Sequence, residues 1–269
     1  MGLAFAVVLL AAPRASAAEC DLYAAASSCL FNGGIYNVVA PHPTGTGVVQ
    51  SFLRVQQKGT EQGFNTDARP MTCDGVTCDD KTDPNFTRNL LTSDVPVVTI
   101  NGHTYRQFFL DINEPASQGN TQNYLTLDQV EVYVSNSASL TTHASGSGGS
   151  LTGATKVYDM DSGNTDNFVN LDYVLVGGGS GYGDMVLYVP DDGLFAGNQY
   201  VYLFSQFGCT TCSGGNGSNA WTKYASQAGF EEWWVKGSVN TQTTVPEPGT
   251  LALFGTAIAA AYTRRRKRK

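Results

Sequence analysis

Charged side chains are scarce in this 269-residue sequence, and basic ones are the scarcest. Lys and Arg number 16 against 23 Asp and Glu, for a formal net charge of −7. Seven of the basic residues lie near the chain ends, at Arg14 and at positions 264–269. Without these seven and without Glu247, 9 basic and 22 acidic residues remain, a net charge of −13. A body this acidic repels phosphate backbones, so the sequence argues against nucleic acid and favours divalent cations or neutral polymers as partners.

Sustained helical periodicity and internal repeats are also missing. Eight segments instead alternate apolar and polar residues between Gly, Pro and Asn boundaries, which is typical of strands. Asn101-Gly102, between two of these segments, is a strong hairpin signal. The pattern predicts an all-β fold, an antiparallel β-sandwich of jelly-roll type. The predicted strands are 47–56, 95–100, 104–113, 124–135, 168–176, 184–190, 199–207 and 229–237.

Motifs of several common enzyme classes are absent as well. The sequence contains neither a G-x-S-x-G nucleophile elbow nor a G-x-x-x-x-G-K-[ST] phosphate loop. His42 and His143 lie in turn-rich segments and are predicted to be exposed, and His103 lies at the tip of the predicted hairpin. Glycoside hydrolysis needs two facing carboxylates, and no acidic pair stands out among the many present. The sequence therefore predicts a protein that is not an enzyme.

The N-terminus is typical of a secretory leader. An apolar run over residues 3–12 is followed by Ala15-Ser16-Ala17, the small-x-small pattern of a cleavage site. We expect residues 1–18 to form a signal peptide that is cleaved after Ala17 or Ala18. Because no Lys or Arg precedes the apolar run, a longer leader in which Met1 is internal is the alternative.

The C-terminus joins a Pro-Glu-Pro segment, a short apolar run and a basic cluster. The apolar run, 251–262, would span roughly 18 Å as a helix, which is less than the ~30 Å hydrocarbon core of a bilayer. Flanking residues would make it a marginal span, with the basic cluster on the cytoplasmic side, as in an ordinary membrane anchor. The first segment is Val245, Pro246, Glu247 and Pro248, and the basic cluster is Arg264, Arg265, Arg266, Lys267, Arg268 and Lys269.

These three elements, in this order, resemble the PEP-CTERM sorting signal of Gram-negative bacteria. The resemblance implies that an exosortase-type membrane protease processes the tail while its short helix lies transiently in the inner membrane. It also implies export to the cell surface or the extracellular matrix.

The body is similar to a passenger domain that recurs ahead of PEP-CTERM tails, for example in LTLDQVEVYV (125–134) and GYGDMVLYVP (181–190). The similarity covers about residues 45–235 and implies one continuous domain without a known biochemistry. The expected organisation is a signal peptide at 1–18, a β-sandwich at 19–237, a polar linker at 238–244 and the sorting signal at 245–269.

The six cysteines lie in three pairs that are close in sequence. An even number of cysteines behind a secretory leader implies disulfides, and local pairing is favoured among the 15 possible connectivities. A zinc site built from the CTTC and CDGVTC segments is the alternative. The expected disulfides are Cys20 with Cys29, Cys73 with Cys78, and Cys209 with Cys212.

Carboxylates and amides concentrate in two segments that are candidate calcium sites, because hard oxygen ligands suit Ca²⁺. The first segment does not match the spacing of an EF-hand, and a turn that uses its own side chains for backbone hydrogen bonds is the alternative. In the second segment, residues two apart on a strand share a face. The candidate ligands are Asp159, Asp161, Asp166 and Asn167 in the first segment, and Asp111 and Asn113 in the second.

Trp221, Trp233 and Trp234 are candidate glycan contacts, because aromatic rings stack on sugar rings. Neighbouring residues of a strand face opposite sides, so one of Trp233 and Trp234 is expected in the core and the other at the surface. The sequence therefore predicts an adhesion or biofilm protein associated with exopolysaccharide. The alternatives are a carbohydrate-binding module, a carbohydrate-active hydrolase, and a surface protein without a ligand.

Overall fold

Strands form nearly all of the regular structure. The computed structural model describes residues 16–38, 50–116, 122–144, 149–163, 165–176, 183–208, 224–227 and 229–235. These residues contain the short 3-10 helix Thr92–Asp94 and no α-helix, so the all-β prediction is confirmed. The strands are β1 (Ser16–Leu22), β2 (Ser28–Phe31), β3 (Gly34–Val38), β4 (Leu53–Val55), β5 (Lys58–Gly59), β6 (Glu61–Phe64), β7 (Thr72–Cys73), β8 (Val76–Thr77), β9 (Leu90–Leu91), β10 (Val97–Ile100), β11 (His103–Asp111), β12 (Tyr124–Ser135), β13 (Thr142–Ala144), β14 (Ser150–Leu151), β15 (Thr155–Asp159), β16 (Thr165–Asp172), β17 (Met185–Pro190), β18 (Tyr200–Phe207), β19 (Ser226–Gln227) and β20 (Glu231–Trp234).

The chain divides into two units, Met1–Ser238 and Val239–Lys269, and every described residue belongs to the first. Residues 1–15 of the predicted leader, the linker and the sorting tail lie outside the described residues. Within the described part, no helix is long and apolar enough to cross a bilayer.

The first large sheet is built around β12. Its strand order is β1-β16-β12-β18-β6, with β15 also pairing with β12 and β9 with β18. Along one side, β12 pairs first with β16 and then with β15, while β18 pairs along the other. The β1–β16 pair is parallel, and the other pairs are antiparallel. The alternating segment 124–135 therefore forms the central strand, with the bounds that the sequence predicts.

The second large sheet is antiparallel throughout its described strands. Its order is β2-β3-β17-β11-β20-β4, and β10 pairs with β11 through the predicted hairpin. Asn101 and Gly102 both have positive φ, 51° and 86°, as a two-residue type I′ turn requires. The hairpin prediction is confirmed. Two smaller sheets, β14-β13-β7-β8 and β19-β5, complete the described structure.

One buried cluster takes its side chains from both large sheets. Val130 and Leu203 come from the first sheet, and Leu110, Leu187 and Trp233 come from the second. Each such side chain contributes about 1.5–3 kcal/mol when it is removed from water, so this cluster is the main source of stability. The predicted jelly-roll sandwich is compatible with this shared core and stays a prediction.

Two of the expected disulfides are present in the described residues. Cys20 and Cys29, with Cα atoms 6.1 Å apart, join β1 of the first large sheet to β2 of the second. Cys73 and Cys78, with Cα atoms 5.1 Å apart, close the β7–β8 hairpin. The expected pair Cys209–Cys212 lies outside the described residues.

Some predicted strand bounds are wrong. Of the predicted strand 47–56, the described residues form a strand only at β4, and the Gln56 N–H donates to the Asp79 carbonyl instead of a ladder partner. The predicted strand 168–176 ends at Asp172, whose Oδ1 accepts the Val174 N–H at 3.1 Å and turns the chain.

Candidate functional site

Four aromatic side chains lie on one face of the second large sheet, and we call Tyr105, Phe109, Tyr188 and Trp234 the aromatic strip. Phe109 and Trp234 are cross-strand partners whose rings stack, with centroids 4.4 Å apart and planes 19° apart. Tyr105 and Tyr188 meet edge to face at 6.5 Å. Gln107, between Tyr105 and Phe109 on the same face, donates Nε2 to the Tyr188 hydroxyl at 3.4 Å. The strip thus combines three half-buried rings, those of Tyr105, Tyr188 and Trp234, and the buried ring of Phe109 with hydrogen-bonding groups.

The two adjacent tryptophans face opposite sides, as the sequence predicts. Trp233 is 0% exposed, and its Nε1 donates to Ser205 Oγ in β18 at 3.1 Å. Trp234 is half-buried and belongs to the strip. The candidate glycan contact at Trp233 is therefore wrong, because the core encloses this indole. Trp221 lies outside the described residues.

An ion pair between β4 and β20 lies beside the strip. Arg54 Nη2 binds Glu232 Oε1 at 2.7 Å. The Arg54 guanidinium also lies over the rings of Phe86 and Phe230, 3.4 and 4.5 Å from their centroids. Since alternate residues of a strand share a face, Glu232 and Trp234 point the same way, and the Arg54–Glu232 pair connects the strip with Phe230.

Phe230 also lines a pocket of about 410 Å³, which we call the carboxyl pocket. Glu114 contributes a carboxyl group to it, whose oxygens accept the Gln227 N–H at 3.2 Å. Amide side chains and one apolar ring surround this carboxyl group. The lining includes Gln56, Asn113, Glu114, Pro115, Gln227 and Phe230.

Glu114 belongs to a group of three buried glutamates, Glu61, Glu114 and Glu231, which we call the carboxyl cluster. Burial raises the pKa of Glu114 to about 8, and the charge of Glu61 adds to the rise. Burial also raises the pKa of Glu231 well above its ordinary value, and the hydrogen bond that it shares with Glu61 raises it further. Burial raises the pKa of Glu61, although that hydrogen bond and the Gln57 N–H oppose the rise. Glu231 is therefore the member that keeps its proton and donates it to Glu61.

The first candidate calcium segment uses its oxygens within its own turn. Asp159 Oδ1 accepts the Asp161 N–H at 2.9 Å, and Asp159 Oδ2 binds Lys156 Nζ at 2.8 Å. Asp161 Oδ1 accepts the Asn167 N–H at 2.6 Å. Burial raises the pKa of Asp161 to about 8, with Asp159 and Asp166 among the charges that add to the rise. These bonds are the ones expected of a turn whose side chains bond to its own backbone, which is the alternative to a calcium site at this segment.

The second candidate calcium segment is divided between two environments. Asp111 ends β11 and is buried, whereas Asn113 lies beyond the strand and lines the carboxyl pocket. Among the residues that the structure describes, no group of three or more His, Cys, Asp or Glu side chains has the arrangement of a metal site. Calcium binding at either segment stays a prediction.

His143 is buried, so the prediction that it is exposed is wrong. The β13–β7 pairing draws it inward, and its ring stacks on Phe204 with centroids 3.7 Å apart. Its Nε2 lies 2.6 Å from Glu131 Oε2, which also accepts a hydrogen bond from the Tyr133 hydroxyl, while Glu131 Oε1 accepts one from Lys156 Nζ. Both members of the His143–Glu131 pair have fully buried side chains, so this network supports the fold and does not face a ligand. His103 begins β11 next to the hairpin turn, as predicted, and His42 lies outside the described residues.

Comparison with known proteins identifies only the tail. A family model of the PEP-CTERM protein-sorting motif matches residues 244–267. Among curated proteins and solved structures, nothing matches the chain. The match confirms the sorting signal and indicates an extracellular or cell-surface protein that is processed by an exosortase, a membrane protein.

Proposed function

We propose that this protein, sorted to the outside by its PEP-CTERM tail, is a non-enzymatic adhesion or biofilm component that binds exopolysaccharide. We place it on the surface of a Gram-negative bacterium or in the matrix around it. The aromatic strip is the proposed binding surface, and its stacked Phe109–Trp234 pair is the observation that carries the proposal.

The chemistry of the strip suits a sugar chain. Aromatic rings offer flat apolar faces to the CH groups of pyranose rings, and a few polar groups fix the orientation of the ligand. Trp234 and Tyr188 are half-buried on neighbouring parts of the sheet, with the Gln107 amide beside the Tyr188 hydroxyl. A strip that crosses several strands suits an extended polymer better than one small molecule.

The carboxyl pocket favours binding over hydrolysis. Glycoside hydrolysis needs two carboxyl groups on opposite sides of the scissile bond. Glu114 lines the pocket, but Glu61 and Glu231 are 0% exposed and bonded to one another. Among the described residues that line the pocket, Glu114 is the one carboxyl group, which can bind a sugar without cleaving it.

We further propose that the mature protein is one jelly-roll-like sandwich at residues 19–237, followed by the linker at 238–244. The shared core of the two large sheets supports this arrangement. In this proposal the exported protein has lost residues 1–18 and the basic end of the tail, which an intact-mass measurement on protein from its host would reveal.

The test is binding of the exported protein to exopolysaccharide prepared from the same host. We expect Trp234→Ala to weaken binding about tenfold, which corresponds to about 1.4 kcal/mol, and Trp234→Phe to retain most of it because the ring is kept. Leu194→Ala removes an exposed apolar side chain elsewhere and serves as the matched control. Unchanged binding by a folded Trp234→Ala variant would refute the strip as the site, and release of reducing ends would favour the hydrolase alternative.

A further inference from the structure

A row of paired residues that crosses three strands forms the floor of the aromatic strip. Phe109 in β11 pairs with Trp234 in β20 on one side and with Val186 in β17 on the other. Phe109 and Val186 are only 7% and 5% exposed. Tyr188 and Trp234 pack against this buried pair. Two half-buried rings are therefore held against a floor of buried apolar side chains, so their positions do not depend on a ligand.

The Trp234 indole lies along the sheet. Its plane is within 19° of the plane of the Phe109 ring. A Cβ atom added at Gly183, just before β17, would lie 3.5 Å from Trp234 Cζ2. Because β11 separates β20 from β17, the backbones that carry Trp234 and Gly183 are about 10 Å apart. An indole that spans this distance extends across the sheet, and the face that Phe109 does not cover points away from it.

The rings form two groups along β11, and a single sugar cannot contact both. Tyr105, Gln107 and Phe109 are alternate residues of β11 and share a face. Tyr105 is four residues from Phe109, which corresponds to about 13 Å along a strand. Trp234 stacks on Phe109 in one group, and Tyr188 meets Tyr105 edge to face in the other. Since this distance is longer than one pyranose ring, contact with both groups requires an oligosaccharide.

Hydrogen-bonding groups lie between the two groups of rings. Gln107 pairs with Tyr188 across the strands and donates Nε2 to its hydroxyl at 3.4 Å. The Gln107 Oε1 atom is an acceptor, and the Tyr188 hydroxyl can both donate and accept. The charged side chains beside the strip, Arg54 and Glu232, bind each other at 2.7 Å. The middle of the strip thus offers amide and phenol groups, which suit the hydroxyl groups of a sugar.

This arrangement suits one linkage geometry. In a β-(1→4)-linked chain of glucose-type sugars, the bonds between rings are equatorial, so the chain is an extended ribbon whose rings expose apolar faces along one line. In an α-(1→4)-linked chain, each axial bond turns the next ring, and the chain coils. Two groups of rings on one side of a strand also lie along one line, so they match the ribbon.

We propose that the aromatic strip binds an extended, β-(1→4)-linked polysaccharide chain parallel to β11. Trp234 stacks on a sugar at one end, and Tyr105 with Tyr188 contacts a sugar farther along the chain. Gln107 orients the hydroxyl groups between them. This inference rests on the proposed function, since it names the linkage class of the polysaccharide and adds Tyr105 as the residue of a second position.

The experiment compares β-(1→4)- and α-(1→4)-linked glucose oligomers of two to six units in calorimetric titrations of the exported protein. The affinity for the β-linked series should rise at least tenfold from dimer to hexamer, because only the longer chains reach both groups of rings. The α-linked hexamer has the same composition and length and should bind at least tenfold more weakly than the β-linked hexamer.

Substitutions at the second position test the length dependence. Tyr105→Ala should lower the affinity for the β-linked hexamer about tenfold and leave the affinity for the dimer unchanged, because the dimer binds at Trp234. Tyr105→Phe keeps the ring and should retain the length dependence. Tyr200→Ala removes a half-buried tyrosine from the first large sheet and should change neither affinity.

The outcomes separate this inference from the proposed function. Equal affinities for the two hexamers, or for the β-linked dimer and hexamer, would overturn it. Full length dependence in a folded Tyr105→Ala variant would overturn it as well, and so would the absence of binding to every β-linked oligomer. In each of these cases the proposed function stands if Trp234→Ala still weakens binding of the host exopolysaccharide, because that test does not depend on linkage.

Discussion

Replacing Glu131 by Gln should destabilise the fold strongly, although the side chain keeps its size. The Glu131 carboxylate is fully buried and accepts bonds from Gln129 at 3.0 Å, from Lys156 at 2.7 Å and from Tyr133, and it lies 2.6 Å from His143 Nε2. These interactions overcome the effect of burial and lower the pKa of Glu131, so the folded state favours the ionised carboxylate.

The expected loss follows from breaking a buried charged network. Removal of one partner of such a network costs about 3–5 kcal/mol, and Gln keeps some of the hydrogen bonds, so we expect about 3 kcal/mol. In a domain of this size each kcal/mol lowers Tm by about 2–4 °C, which gives a fall of about 6–12 °C at pH 7. Lys156→Gln is the graded control, because the Lys156 side chain is 22% exposed and its removal should cost about 1 kcal/mol.

The pH dependence gives a second check on the same variant. A carboxyl group whose pKa is lower in the folded state stabilises the protein above its unfolded pKa and loses this contribution as pH falls through its folded pKa. The difference in Tm between the wild-type protein and Glu131→Gln should therefore shrink as the pH falls below about 4. A Tm within 2 °C of the wild-type value at pH 7 would show that the network contributes little.

Two other outcomes are expected. The stability of the folded protein should fall between pH 5 and pH 8, by up to about 1.4 kcal/mol per pH unit for each group, because Glu114 and Asp161 have pKa values raised to about 8. A carboxyl group with a raised pKa stabilises the folded state below its unfolded pKa, and this contribution is lost as the pH rises through its folded pKa. Glu114→Gln and Asp161→Asn should therefore each flatten the dependence of stability on pH, measured by denaturant unfolding. Stability that rises between pH 5 and pH 8 would contradict the raised pKa values. Removal of the Cys20–Cys29 disulfide by a double Ser substitution should lower the free energy of unfolding by about 2–3 kcal/mol, because the unfolded chain gains conformational entropy. An unchanged unfolding midpoint would show that this crosslink does not restrict the unfolded chain.

The sequence is most informative where a strand alternates cleanly. Residues 124–135 form β12 with the predicted bounds, because apolar and polar residues there follow the period of a half-buried strand. The first three strands and many short ones, among them β5 to β9 and β13 to β15, are missed; β1 overlaps the predicted cleavage site and pairs with the distant β16. One signal for the β2–β3 hairpin was present in Asn32-Gly33, which has the same pair of positive φ angles as Asn101-Gly102.

The candidate site is less predictable than the fold, because it depends on register between distant segments. The adjacent tryptophans show that one indole faces outward, but nothing local indicates that Phe109 is the ring beneath Trp234. Likewise Glu61, Glu114 and Glu231 come from three separate segments, and each alone has the appearance of an ordinary surface acid. The burial that raises their pKa values exists only once β6, β20 and the segment that follows β11 are in place.

The position of β20 determines how a mechanical load would enter the fold. The chain leaves β20 toward the tail, so a pull on any tether attached beyond Val235 is applied first to this strand. β20 is an interior strand, paired with β11 on one side and β4 on the other, and Trp233 fixes it in the core. Tension must therefore break two ladders of hydrogen bonds and extract a buried indole before the domain begins to unravel. An edge strand in that place would peel away one bond at a time.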